Sequence, residues 1–271
     1  MRLTSRHSIA TAVSVVSLML GTALTARAQT TLAYWNFNDS TPSGANGDTT
    51  QAQLQGQLFS ADGGTQAATA IITSNFIAID SGSGFGGSTT TGINSFAGST
   101  VNALNGDGAG QALALQGSTT GGGANANNGN YIQFQFSMTG FQSPTLSFAT
   151  QRTTTGFGTA TNPNQLSYST DGVSFTNLPT GSYLPASGFA LQTFDLSSVS
   201  TLNNASSAFF RITFNGVTSN SGNNRLDNVQ INAATFNAGG GGSAAPEPGA
   251  IALILSGAGT TCLALLRRRK S

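Results

Sequence analysis

From Tyr131 to Phe136 the chain reads Tyr-Ile-Gln-Phe-Gln-Phe, with Ile132, Phe134 and Phe136 in one phase and Gln133 and Gln135 in the other. A side-chain period of two is that of a strand, so one face of this segment is apolar and the other carries amides. The alternation returns at Leu146 and Phe148 after Pro144, at Leu166 and Tyr168, and within 190–196, 208–215 and 225–232. Asp171-Gly172 follows Tyr168, and Gly accepts the positive φ that a tight turn needs. A hairpin is therefore predicted, with Val173, Phe175 and Leu178 on its return strand. Helical apolar periodicity is absent from the body. The predicted fold is all-β, an antiparallel, jelly-roll-like β-sandwich. A β-solenoid is the runner-up, weakened by the lack of a fixed repeat.

The first half carries weaker signals. Residues 32–37, with Tyr34, Trp35 and Phe37, read as an entry strand; 70–79 and 111–116 are further candidates. Gly, Ser, Thr and Asn dominate 81–91 and 117–130. These read as long loops, offering little apolar area against the entropy of ordering. Gly82 to Gly87 satisfies G-x-G-x-x-G, but Ser-Thr-Thr-Thr-Gly is a poor helix start, and a dinucleotide site needs a helix there.

Both ends carry address signals. Arg2 and Arg6 precede a short apolar run from Ile9 to Leu24, and Ala26-Arg27-Ala28 offers small residues at a cleavage site. That order describes a secretory signal peptide over 1–28, cut by signal peptidase before Gln29. The body spans 29–237 and a Gly-rich linker 238–245 follows. Pro246-Glu247-Pro248 comes next, then uncharged residues 249–266, then Arg267-Arg268-Arg269-Lys270. At ~1.5 Å per residue this uncharged stretch reaches ~27 Å, close to the ~30 Å hydrocarbon core of a bilayer. The cation cluster marks its cytoplasmic end.

Pro246-Glu247-Pro248, an apolar helix and a terminal Arg cluster together resemble the PEP-CTERM sorting signal, over residues 246–271 only. The resemblance implies recognition by an exosortase, a membrane-embedded transpeptidase-like enzyme, and sorting to the cell surface or an extracellular polysaccharide matrix. It implies Pro246, Glu247 and Pro248 as the recognition motif and Arg267, Arg268 and Arg269 as the stop. It implies nothing about the body.

The body sets eight aspartates against Arg152, Arg211 and Arg225, a net charge of −5, and has no Lys. Such a surface is a poor match for phosphate backbones. Cys262, the one cysteine, lies in the C-terminal apolar stretch, and the body also lacks His and Glu. That removes a Ser-His-Asp triad, a Cys-His pair, a lysine Schiff base and thiolate zinc sites. No catalytic residue is assigned. The reading is a non-enzymatic surface or matrix protein mediating adhesion or polysaccharide association. The alternatives are an Asp-dependent glycoside hydrolase and a passive spacer.

Two site expectations remain. Arg225-Leu226-Asp227-Asn228-Val229 resembles the closing strand of secreted jelly-roll and carbohydrate-binding-like sandwiches. That resemblance implies that Asp227 and Asp39, beside the entry strand, share a structural Ca²⁺ completed by other oxygens. The other reading pairs Asp227 with Arg211 or Arg225. Among rings for stacking on sugars, Trp35, Tyr131, Tyr168 and Tyr183 are the candidates, Tyr183 being the expected exposed ring and Trp35 reading more readily as core. Ser169 to Phe175 resembles an Asp-box turn, with Asp171 and Gly172 adjacent instead of separated, and reads as a surface hairpin.

Overall fold

The structure, a computed structural model, describes residues 28–38, 59–76, 93–104, 106–117 and 126–237. The expected leader, Asp39, the 81–91 loop and the sorting segment 246–271 lie outside them. Twelve strands appear among the described residues. They are β1 (Gln29–Trp35), β2 (Phe59–Ser60), β3 (Ile71–Ser74), β4 (Ile93–Ala97), β5 (Gln111–Gln116) and β6 (Tyr131–Phe136). In the second half follow β7 (Phe141–Arg152), β8 (Asn164–Ser169), β9 (Thr176–Tyr183), β10 (Ala190–Asp195), β11 (Ala208–Thr213) and β12 (Asn223–Thr235). A 3-10 turn at Ser200–Leu202 interrupts them.

Two six-stranded antiparallel sheets result. The first runs β10-β7-β12-β5-β4, with β1 also on β12; the second runs β2-β3-β6-β11-β8-β9. Their apolar faces meet. Trp35 of β1 packs on Phe134 of β6 with ring centroids 5.3 Å apart, and Phe148 of β7 meets Tyr183 of β9 edge-on at 5.7 Å. The alternation of β6 is realised strictly: Ile132, Phe134 and Phe136 are buried and the residues between them half-buried. Phe76, Phe157 and Phe214 close one end of the core, each edge-on to the other two, the geometry that ring quadrupoles favour. This face-to-face pairing replaces the solenoid alternative.

β12 is the keystone of the first sheet. One edge pairs with β7 along most of its length. The other pairs with β5 through residues 223–226 and with β1 through 229–234. Where the two neighbours meet, the register shifts between Asp227 and Gln230, and Asn228 takes φ +49°. This bulge lets Leu226 and Val229, three residues apart, both face the core. Pro144 is accommodated inside β7 in a similar way. The preceding Ser143 adopts φ +53° and the register with β12 is irregular nearby, as a residue without an N–H requires.

The hairpin after β8 departs from expectation. Residues 170–175 form a loop, and β9 begins only at Thr176. Val173 is 83% exposed instead of packed, because Asp171 folds the loop onto its own N–H groups.

Candidate functional site

The outward face of the second sheet is built by phase. On β6 the positions between core residues are Tyr131, Gln133 and Gln135, and on β11 they are Phe209, Arg211 and Thr213. Antiparallel register sets these side by side: Tyr131 opposite Thr213, Gln133 opposite Arg211, Gln135 opposite Phe209. Thr73 of β3 extends the central row beyond Gln133; Ser167 of β8 and Asn177 of β9 extend it beyond Arg211. A band Thr73–Gln133–Arg211–Ser167–Asn177 therefore crosses five strands, one cation among neutral amides and hydroxyls.

Arg211 is fixed from three sides. Its guanidinium carbon lies 3.9 Å from the Tyr131 ring centroid and 3.5 Å from that of Phe175, a cation between two π-faces. Nε and Nη2 both donate to Gln133 Oε1, at 3.1 and 2.7 Å. Burial pulls the pKa of Arg211 below its ordinary value, though an arginine remains charged at any working pH.

Phe175 reaches Arg211 because the turn before it is tightly built. Asp171 Oδ1 accepts from Val173 N–H and Ser174 N–H, each at 2.8 Å, and from Ser169 Oγ at 2.7 Å. Ser169 Oγ in turn accepts from the N–H groups of Asp171 and Gly172. These donors, Ser169 first, hold the Asp171 carboxyl down at about 2. Beyond the Tyr131 end of the sheet, loops around Asn128, Thr159, Asn162, Asn215 and Val217 border an open hollow of ≈ 380 Å³ with uncharged walls of mixed polarity.

The other sequence candidates fall elsewhere. Tyr183, expected to be exposed, is 5% exposed and packs edge-on against Phe148 and Phe194. It is the last residue of β9 and continues the inward phase of Gly181, past a register irregularity that separates it from Leu178. Burial pushes its ionisation well above the ordinary range, against a smaller opposing effect from Asn164. Trp35 is fully buried, which settles it as core. Neither ring is a sugar platform in this structure. Tyr168 is half-buried against the core cluster.

Asp227 is fully buried, and its partner is neither Arg211 nor Arg225. Oδ2 accepts from Ser99 N–H at 2.6 Å and Oδ1 from Asn228 N–H at 2.9 Å. Burial outweighs these two bonds and pushes its carboxyl up to about 7. The Asn228 amide donates to Ser99 O and Val101 O, at 2.6 and 3.0 Å, and its Oδ1 accepts from Tyr34 Oη at 2.7 Å. The pair thus ties the 98–104 segment across the bulge. Of the expected calcium pair only Asp227 lies among the described residues. Its oxygens face N–H donors, a setting for an amide-held carboxylate, and no step is assigned to a metal here. Asp62 and Asp107 both serve Asn36, accepting from its N–H and its Nδ2 at 2.7 and 3.3 Å. Asp195 Oδ1 accepts from Ser197 N–H.

The Arg211–Phe175 stack is not visible in period-two patterning, which places Phe175 on the return strand. The signal available was Asp171 followed at once by a Gly, which commits the next residues to a turn.

No family model and no curated protein matches this chain. Solved structures with likeness to it include the CBM22-1 xylan-binding domain from Paenibacillus barcinonensis, at 12% identity, covering 78% of this chain and 99% of that one, with a TM-score of 0.39. TmCBM61, solved in complex with beta-1,4-galactotriose, is 7% identical over 60% of this chain and 88% of that one, with a TM-score of 0.33. The K3 cleaved adhesin domain of Lys-gingipain from Porphyromonas gingivalis is 15% identical over 48% and 75%, with a TM-score of 0.27.

Proposed function

We propose that this chain is an exported, non-catalytic surface or matrix protein, its jelly-roll-like sandwich associating with polysaccharide through the outer face of the second sheet. The observation that carries the reading is the five-strand band centred on Arg211. Sugar hydroxyls need donors and acceptors spread over a flat area, with π-faces for C–H contacts. Gln133, Asn177 and Thr73 supply the first, Tyr131 and Phe175 the second. A body without His, Cys, Lys or Glu supports a binding role over catalysis. The described aspartates also serve backbone or asparagine N–H groups instead of facing one another across a cleft.

In the same proposal signal peptidase removes the leader, and an exosortase-type enzyme recognises Pro246, Glu247 and Pro248. The segment 249–266 holds the chain in the membrane until then. Affinity electrophoresis of the exported protein against a panel of soluble polysaccharides tests the binding part. Retardation by at least one polymer, reduced by Tyr131→Ala, supports it. Unretarded migration through every gel would leave the passive spacer. The mass of the protein from an exosortase-bearing host tests the sorting part, which loss of the Arg267–Arg269 cluster supports and its retention contradicts.

A further inference from the structure

Resting on that reading, we propose that the ligand is an acidic polysaccharide, one anionic sugar group docking on the guanidinium of Arg211 while neighbouring hydroxyls engage the amide band.

Arg211 is the one full charge in the band, and its hydrogen bonds go to a single neutral acceptor, Gln133 Oε1. Among the described residues no carboxylate partners it. The acid nearest in the chain to its Phe175 lid, Asp171, is committed to Ser169, Val173 and Ser174. A partly desolvated cation facing only neutral groups keeps most of its capacity for an anion.

Geometry adds to this. Both faces of the guanidinium are covered by rings, so a ligand must approach along its edge, where N–H groups beyond Nε and Nη2 have no acceptor among the described residues. Edge-on approach is how a planar fork meets a carboxylate or a sulfate, with two parallel N–H···O bonds. The stack also removes most of the side chain's rotational freedom before any ligand arrives, so less entropy is lost on binding. An acidic peptide would use the cation equally, but a row of neutral amides and hydroxyls on both sides matches a polyhydroxylated chain.

The test compares two pairs of polysaccharides that differ only at the acid, with an acidic polypeptide as control. The exported protein is titrated with polygalacturonate, with the same polymer after carboxyl reduction, with dextran sulfate against dextran, and with polyglutamate. The expected result is that an acidic polysaccharide binds about tenfold or more tighter than its neutral counterpart, a preference that weakens as salt is raised. Arg211→Gln should abolish the preference and Arg211→Lys should keep part of it, each compared on protein that still melts cooperatively. Polygalacturonate against dextran sulfate then identifies the anion as carboxylate or sulfate. Equal binding of acidic and neutral polymers, or retention of the preference in Arg211→Gln, overturns the acid-specific site while leaving polysaccharide association standing. Polyglutamate binding as tight as polygalacturonate overturns the sugar component. Binding to no polymer removes the proposed function itself.

Discussion

At Asp227 the chain buries a carboxylate beneath Ser99 and lets two backbone N–H groups hold it. Because its folded pKa, about 7, is raised above the unfolded value of 3.8, the folded state favours the protonated form. The sign follows from proton counting. Between pH 4 and 7 the folded chain binds more protons than the unfolded one, so stability falls as pH rises. Chemical denaturation from pH 4 to 8 should show a decline of at most about 1.4 kcal/mol per pH unit, flattening above pH 7. In Asp227→Asn that slope should largely vanish; a slope unchanged in this variant would contradict the assignment. Tyr183 offers a second check. Its hydroxyl is buried without a well-formed hydrogen bond among the described residues, since Asn164 beside it serves Asn224 and Asn215. Tyr183→Phe should therefore leave stability unchanged or raise it by up to about 1 kcal/mol in urea melts. The role of these residues was only half legible in the sequence. Leu226, Val229, Ile231 and Ala233 show a phase slip that announces a bulge. That the bulge would receive residues 98–104, more than a hundred positions away, is a tertiary fact with no local signature.

Individual elements vary in how openly the chain declares them. β6 and β11 have apolar residues at every second position over six residues, and their strands fall almost where alternation places them. β9 carries Pro179 and Gly181 and survives as an edge strand, where a missing donor is tolerated. β2 and β4 have no such alternation, and neighbouring strands define them. In the proposed function the β8–β9 turn matters most, because it delivers Phe175 to Arg211. Gly172 stands there at φ +73°, and a Cβ at this position would lie 3.0 Å from Phe209 Cζ. Gly172→Ala should cost about 1 kcal/mol for the backbone alone and shift the turn away from Phe209. The expected sign is a lower melting temperature together with several-fold weaker polysaccharide binding. Weaker binding without a stability loss would mean that the turn touches ligand directly instead of positioning Phe175.

For the whole molecule, the outer sides of the two sheets differ among the described residues. The outward side of the first sheet is crossed at its centre by residues 98–104, tied down by Asn228, Asn102 and Gln230. In the second sheet, the outward amides of β6 stay half-buried around Arg211. A sandwich was legible from period-two patterning; which outer face is left uncovered by the described residues was not, because strand order depends on pairings between segments far apart in the chain. In the proposed function the outer face of the second sheet is the one that meets polysaccharide. Hydroxyl-radical footprinting of the exported protein, with and without a polymer that retards it in gels, tests that claim most directly. Protection of Tyr131 and Phe175 on binding, with the exposed Leu191 of β10 unchanged, is the expected result. Protection confined to Leu191 and its neighbours on the first sheet, with Tyr131 and Phe175 oxidised as before, would contradict it.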